Sequence, residues 1–250
     1  MKKYFLKKEE KIEKICKGVS IIQDDSLPKF SIDPFLLIAF IDKYKSKRLK
    51  VADFGAGTGI VGILFSRLNF SHIDLIEINR KLFLLEKKNV SLNKIGSRVK
   101  CWNIDINRLG YNFPINYFDL IISNPPYFDK KNYKKNNPNF NRNLTKHEGF
   151  LDFNKLVLSA KKFLKNKGKF YFIFRSERLN EIFEVLRENN FGIDRIRFVY
   201  GLQGSISKLV LVKAIKQSSS AKLKIESPLN IFLKNGHYSP EVKKALYIKE

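Results

Sequence analysis

The tetrapeptide Asn124-Pro125-Pro126-Tyr127 closes the apolar run Phe118-Asp119-Leu120-Ile121-Ile122-Ser123. Two prolines cannot continue a central strand, so a buried strand is expected to end at Ser123. Its carboxyl edge then carries an amide, two rigid imide carbonyls and an aromatic ring. Such a set suits a flat base bearing an exocyclic amine. An aromatic amine is a poor nucleophile because its lone pair is delocalised into the ring. The Asn124 side-chain oxygen and the Pro125 carbonyl are both acceptors and can take both hydrogens of one NH2. That pairing favours a tetrahedral nitrogen with its lone pair aimed outward at an electrophile. Tyr127 would stack on the ring, a contact worth roughly 1–3 kcal/mol per base, and Pro126 adds no competing N–H. Taken alone, the tetrapeptide also reads as a plain turn after a strand.

A second set lies upstream. Leu49 to Phe54 reads as a short buried strand running into Gly55-Ala56-Gly57-Thr58-Gly59, with a helix Ile60 to Leu68 directly after. Glycines at a strand-to-helix turn let a ligand approach the backbone and expose the N–H groups of the helix start. The dinucleotide fingerprint G-x-G-x-x-G needs glycine where Ile60 stands. Asp53, just ahead of the turn, suits a ligand with an ammonium group and no pyrophosphate. The pattern D-x-G-x-G-x-G resembles the first motif of the class I S-adenosylmethionine methyltransferases.

The elements that must position these groups follow in order. Strand Ile73 to Ile76 ends at Glu77, 24 residues after Asp53, where a carboxylate can accept both ribose hydroxyls of an adenosine ligand. After helix Lys81 to Asn93, strand Val99 to Ile104 ends at Asp105, which can accept from an adenine N6 amine while Ile78 and Ile106 flank the ring. Singly, Glu77 or Asp105 reads as a loop acid. Three acids at the carboxyl ends of three successive strands mark the edge where open α/β sheets bind ligands, and the fourth strand brings Asn124 to that edge.

The chain as a whole resembles the amino-group N-methyltransferases with the N-P-P-Y motif. Among them it is most similar to the bacterial tRNA1(Val) adenine-N6 methyltransferases, which act on adenine 37 beside the anticodon. Further residues that carry the likeness are Phe30-Ser31-Ile32-Asp33, Leu36-Leu37-Ile38-Ala39, Lys146-His147-Glu148, Arg175-Ser176-Glu177-Arg178-Leu179 and Gly236-His237-Tyr238-Ser239. Phe54 and Lys146 depart from it, standing where the family favours leucine and arginine. The resemblance implies a Rossmann-like α/β fold: a doubly wound, mostly parallel seven-stranded sheet with an antiparallel closing strand. It implies S-adenosylmethionine as cofactor, S-adenosylhomocysteine as product, and tRNA, through its anticodon stem-loop, as partner. Asn124, Pro125, Pro126 and Tyr127 would form the catalytic clamp. Asp53, Gly55, Ala56, Gly57, Gly59, Glu77, Ile78, Asp105, Ile106 and Asn124 would hold the cofactor, with no metal.

Composition agrees with a polyanionic partner. The 250 residues hold 48 Lys and Arg against 24 Asp and Glu, a formal net charge of +24. Lysine outnumbers arginine 37 to 11, which an AT-rich coding sequence also produces. The loop from Lys130 to Lys146 carries six basic and six Asn residues and no acid. Lys130, Lys131, Tyr133, Lys134, Lys135, Arg142 and Lys146 are its expected nucleic-acid contacts, the loop ordering only on RNA. The alternative is a solvated surface loop. Cys16 and Cys101 lack metal-ligand spacing and are expected as reduced thiols in a cytoplasmic monomer. No apolar run is long enough to span a membrane.

Residues 1–30 are expected as a basic arm, or short amphipathic helix, followed by a lead-in strand. Residues 31–217 form the methyltransferase domain, including a base-clamp loop over 124–148, and 218–250 a tail packing on it. Asp33 should cap a helix from Pro34 to Tyr44. Rival readings are a protein-glutamine N5-methyltransferase, an rRNA or DNA amino-methyltransferase, and a non-catalytic binder of cofactor and RNA.

Overall fold

The computed structural model describes residues 6–16, 18–27, 29–44, 49–69, 72–125, 152–217 and 222–246. Its centre is one sheet built from β3 (Lys50–Phe54), β4 (His72–Ile76), β5 (Val99–Trp102), β6 (Phe118–Ser123), β7 (Leu164–Arg175), β8 (Phe191–Tyr200) and β9 (Ser207–Lys216). Their spatial order is β8-β9-β7-β6-β3-β4-β5. The pairings from β7 through β6, β3 and β4 to β5 are all parallel. β9 runs antiparallel to both neighbours. This is the expected seven-stranded sheet with its antiparallel closing strand. Two short strands of the tail, β10 (Lys224–Ile225) and β11 (Leu229–Asn230), extend it by pairing with the outer edge of β8.

Both faces are covered, as a parallel sheet requires. Alternating strand residues such as Val51, Leu75, Leu120 and Ile122 pack one face against α1 (Asp33–Phe40) and α2 (Ile60–Asn69). α3 (Arg80–Leu92) joins that layer through Val90. The opposite set, including Phe54, Phe118, Phe170 and Phe172, packs against the 3-10 helix Ile106–Tyr111, α4 (Phe153–Phe163) and α5 (Leu179–Glu188). A last helix, α6 (Pro240–Ala245), plants Val242 in the first layer.

Several expectations are corrected. Glu10–Cys16 is neither arm nor helix but a strand, β1, antiparallel to β2 (Val19–Asp24). Local propensity is overridden because β2 offers it an edge and Lys88 of α3 pairs with Glu10 at 2.6 Å. α1 stops at Phe40 because Ile41 turns extended, and Asp42 is drawn to the Tyr171 hydroxyl at 2.7 Å and to Arg195 and Lys213, each at 2.9 Å. Asp33 is not the cap of α1 but its first residue, its N–H donating to the Ser31 hydroxyl at 3.3 Å. β5 ends at Trp102, so Asp105 is not its terminus but the cap of the 3-10 helix.

Candidate active site

Asp53 alternates with Ala52 and Phe54 and so faces the layer that holds α2. There one carboxylate oxygen accepts the Gly62 N–H at 3.2 Å, while the other is buried with no hydrogen-bond partner among the described residues. Burial, and then the charge of Glu77, push its pKa up to about 7 against the pull of the Gly62 N–H. Gly62 is the close-packing point of α2, where a Cβ would stand 2.1 Å from a Leu75 methyl. Asp53 therefore braces the helix start from behind and presents a field rather than a surface.

The turn between β3 and α2 needs glycine at Gly55, Gly57 and Gly59, whose φ values are +74°, +60° and +83°. Gly57 and Gly59 differ in surroundings. A Cβ at Gly59 would meet the Glu86 side chain at 3.0 Å, whereas one at Gly57 would meet none of the described residues within 4 Å. The turn is packed from below and open above, which is the shape a ligand lying on the backbone requires.

Glu77 closes the turn from the next strand. One of its oxygens accepts the Gly57 N–H at 2.8 Å and the other accepts the Asn79 N–H at 2.7 Å. Burial raises its pKa although three backbone N–H groups oppose the shift. Each oxygen keeps a second lone pair for a hydroxyl donor. Asn103 donates to the carbonyls of Glu77 and Ile78 at 2.8 and 2.9 Å and holds this strand end in place.

Asp105 lies at the same edge, with one oxygen capping Asn107 at 2.9 Å. Ile78 is 45% exposed, but Ile106 is buried with Leu109 and Phe113, so of the expected pair only Ile78 offers a ligand much surface. The Ser123 hydroxyl donates to the Phe54 carbonyl at 2.7 Å and locks the end of β6 to the end of β3. Asn124 and the buried Pro125 leave the sheet from that lock, beside the glycine turn. Pro126, Tyr127, Lys130, Lys131, Tyr133, Lys134, Lys135, Arg142, Lys146, His147 and Glu148 lie outside the described residues.

Two contributors escape sequence reading. Asn89 of α3 donates to the carbonyls of Thr58 and Ile22 at 2.9 and 3.2 Å and accepts the Ile22 N–H at 2.6 Å. It ties the glycine turn to β2 while Asn93, one helical turn on, exchanges the same kind of pair with Ser20. Two asparagines four apart on the buried side of a helix were the available signal, since Asn is a poor interior helix former. Glu86, on the same helix, is fully buried with neither oxygen hydrogen-bonded. Burial pushes its pKa well above the ordinary range; the neighbouring Cys101 thiol opposes this, and Glu77 and Asp53 add to it.

The residues fit a cationic, adenosine-containing ligand such as S-adenosylmethionine. Asp53 leaves a buried oxygen unpaired, Glu77 sits at the turn, and the space over Gly57 is open. Among the described residues no three His, Cys, Asp or Glu are grouped to hold a metal ion.

Known proteins place this geometry. A tRNA1(Val) (adenine(37)-N6)-methyltransferase of Parabacteroides distasonis is 25% identical over 236 residues, covering 93% of this chain and 96% of its own. A release factor glutamine methyltransferase of Fusobacterium nucleatum is 28% identical over 188 residues, covering 72% of this chain and 52% of its own. Among solved structures, a predicted O-methyltransferase from Agrobacterium tumefaciens superposes with a TM-score of 0.68 at 22% identity, covering 86% of this chain and 95% of that one. The model of the methyltransferase small domain matches residues 32–191, from the start of α1 to the first residue of β8. That span includes the ends of β3, β4, β5 and β6, and the chain belongs to the methyltransferase small domain family.

Proposed function

We propose that this protein transfers a methyl group from S-adenosylmethionine to the exocyclic N6 of an adenine in tRNA, with adenine 37 in the anticodon loop of tRNA1(Val) as the nucleotide. The observation that carries the reading is the Ser123 to Phe54 hydrogen bond, which sets Asn124 and Pro125 beside the glycine turn. The relative from Parabacteroides distasonis, aligned over nearly all of both chains, supports the base and the RNA. A net charge of +24 supports a polyanionic substrate.

When bound, S-adenosylmethionine supplies a methyl carbon on a cationic sulfur and leaves as neutral S-adenosylhomocysteine. The chain's own part is positioning, worth orders of magnitude when reacting atoms are held in line. The Asn124 side-chain oxygen and the Pro125 carbonyl accept the two amine hydrogens and turn the nitrogen lone pair outward. Tyr127 stacks the base. Once the nitrogen has gained the methyl, its surplus proton passes to water. Glu77 takes ribose hydroxyls, Asp105 takes the cofactor's adenine amine, and Asp53 supplies negative charge behind the turn. No helix among the described residues is long and apolar enough to cross a membrane, and we place the protein in the cytoplasm as a monomer.

The test is to incubate the protein with labelled S-adenosylmethionine and separate pools of tRNA, rRNA, duplex DNA and protein from cells lacking the gene. Digestion of labelled tRNA to N6-methyladenosine supports the reading. Asn124→Ala should still bind the cofactor yet lose turnover roughly 10²-fold or more; undiminished turnover would remove Asn124 from the mechanism. A second reading, methylation of a protein glutamine, is favoured by the Fusobacterium relative, though this chain spans only about half of that protein. Label on the protein pool alone would establish it.

A further inference from the structure

The tail folds a small hairpin that the proposed reaction leaves without a role. Phe232 and Tyr238 face each other across an antiparallel bridge, their rings stacked at 5.2 Å between centroids and 16° between planes. Leu233 and Gly236 close the tip through backbone bonds from Leu233 to His237 and from Gly236 to Leu233. The base is anchored: the Phe232 N–H donates to the Gly201 carbonyl at 2.9 Å, and Ser239 is buried as the cap of α6. Yet Phe232 and Tyr238 remain 37% and 36% exposed. Beside them, Leu202 and Ile206 in the β8–β9 turn are 44% and 87% exposed. A rigid, half-open aromatic stack among exposed apolar groups is costly in water unless a flat partner covers it.

Its place in the fold selects the partner. β8 is parallel to β6, so both strands end at the edge that carries the glycine turn. Ser123 is level with Phe172, Val212 and Ile196 across the sheet, and β8 continues to Tyr200. The hairpin, which follows β11 on the outer edge of β8, thus stands about 13 Å above the end of β6 and four strand spacings, or roughly 19 Å, to its side. It is too far to touch a base held by Asn124, and it lies where the chain flanking that base must run. Residues 198–208 and 227–240 contain no Asp or Glu, while Lys208, Lys234 and His237 are exposed there.

We infer that the Phe232–Tyr238 hairpin is a stacking platform for an unpaired RNA nucleotide a few positions from the methylated base, with Lys208 and Lys234 meeting the neighbouring phosphates. The inference rests on the proposed RNA substrate and deepens it, for it assigns the tail to substrate selection. Aromatic rings bind bases of any identity through their faces, so the platform recognises single-stranded character rather than sequence. A duplex, whose bases are already stacked, gains nothing from it.

The experiment measures binding of the full chain to an RNA stem-loop with adenine in its loop, and to a blunt duplex of the same stem, over a range of salt. Phe232→Ala with Tyr238→Ala should weaken stem-loop binding about tenfold at every salt concentration. The same pair should raise KM with kcat unchanged, and leave duplex and cofactor binding as they were. Lys234→Ala should instead flatten the salt dependence. If the double variant melts early, Tyr238→Phe and Tyr238→Leu carry the test: the first should bind as wild type and the second more weakly. Ring-dependent RNA binding supports the platform even if label appears on a base other than adenine, an outcome that would sink the reaction alone. Adenine methylation with unchanged affinity in the ring variants overturns the platform alone.

Discussion

Two clusters of ionisable groups lie on the same face of the sheet, and they are built on opposite terms. Around the end of α1, Asp42 accepts from the Tyr171 hydroxyl and pairs with Arg195 and Lys213, Lys213 also meets Asp194, and Arg195 reaches Glu226. Burial would raise the Asp42 pKa, but those donors and charges together hold it below the ordinary carboxylate value. Around the glycine turn, Asp53, Glu77 and Glu86 are all acids, all buried, and all raised. Three of their oxygens have no hydrogen-bond partner among the described residues. In the first cluster every charge meets an opposite charge, and only the Arg195 Nε is left without a hydrogen-bond partner among the described residues. The second is left wanting positive charge, which is how a scaffold differs from a receptor for a cation.

The largest break in this contrast should come from Asp53→Asn. Between the ordinary aspartate range and about 7 the folded chain keeps a proton that the unfolded chain has released, so ligand-free stability falls as pH rises through that window. Removing the charge should raise ligand-free stability near pH 8 by roughly 2–4 kcal/mol, read by denaturant melts, with little change near pH 4. The same variant should lose cofactor affinity by calorimetry. A variant less stable at both pH values would show the carboxylate to be an ordinary brace.

Asp42→Ala should move the other way, losing roughly 1–3 kcal/mol because Lys213 and Arg195 keep their charges without the partner between them. Its parent's contribution is present above the unfolded aspartate pKa and lost as pH falls through the lowered folded value, so acid should erode this cluster while it relieves the other. A smaller effect is expected from Glu86→Met, which replaces two unpaired oxygens by an adaptable apolar chain and should stabilise by roughly 1 kcal/mol or more near pH 8. Destabilisation there would show that the Cys101 thiol satisfies the carboxyl. The smallest is Glu241→Gln, breaking an ion pair with Arg197 that is 56% exposed on the acid side; a change within about 0.5 kcal/mol is expected.

The sequence announces the open side of the site better than its underside. Strand ends at Ser123 and Phe54, the glycine turn and Glu77 are marked by residues that have few other uses, and the structure brings them to one edge. Glu86 could not be found, because a Glu among the lysines of α3 reads as a solvated face until the fold turns it inward. β1 was missed for a related reason: its Glu-Lys-Ile repeat of three matches neither the strand period of two nor the full helix period, and only the edge of β2 decides. Two-residue strands such as β10 and β11 carry no periodicity at all. The start of β7 at Leu164 was hidden by Lys165 to Gly168, polar residues that the pairing skips, since Leu164 lies opposite Phe118 and Lys169 opposite Leu120.

The asparagine of α3 that grips both Ile22 and Thr58 has a kinetic meaning. The N–H of Ile22 has a side chain for its partner, and the same side chain steadies the ligand turn. Opening the turn and releasing that N–H to solvent are then one motion. Hydrogen exchange at Ile22, in a hairpin outside the main sheet, becomes a clock for the turn, running slower whenever the turn is filled.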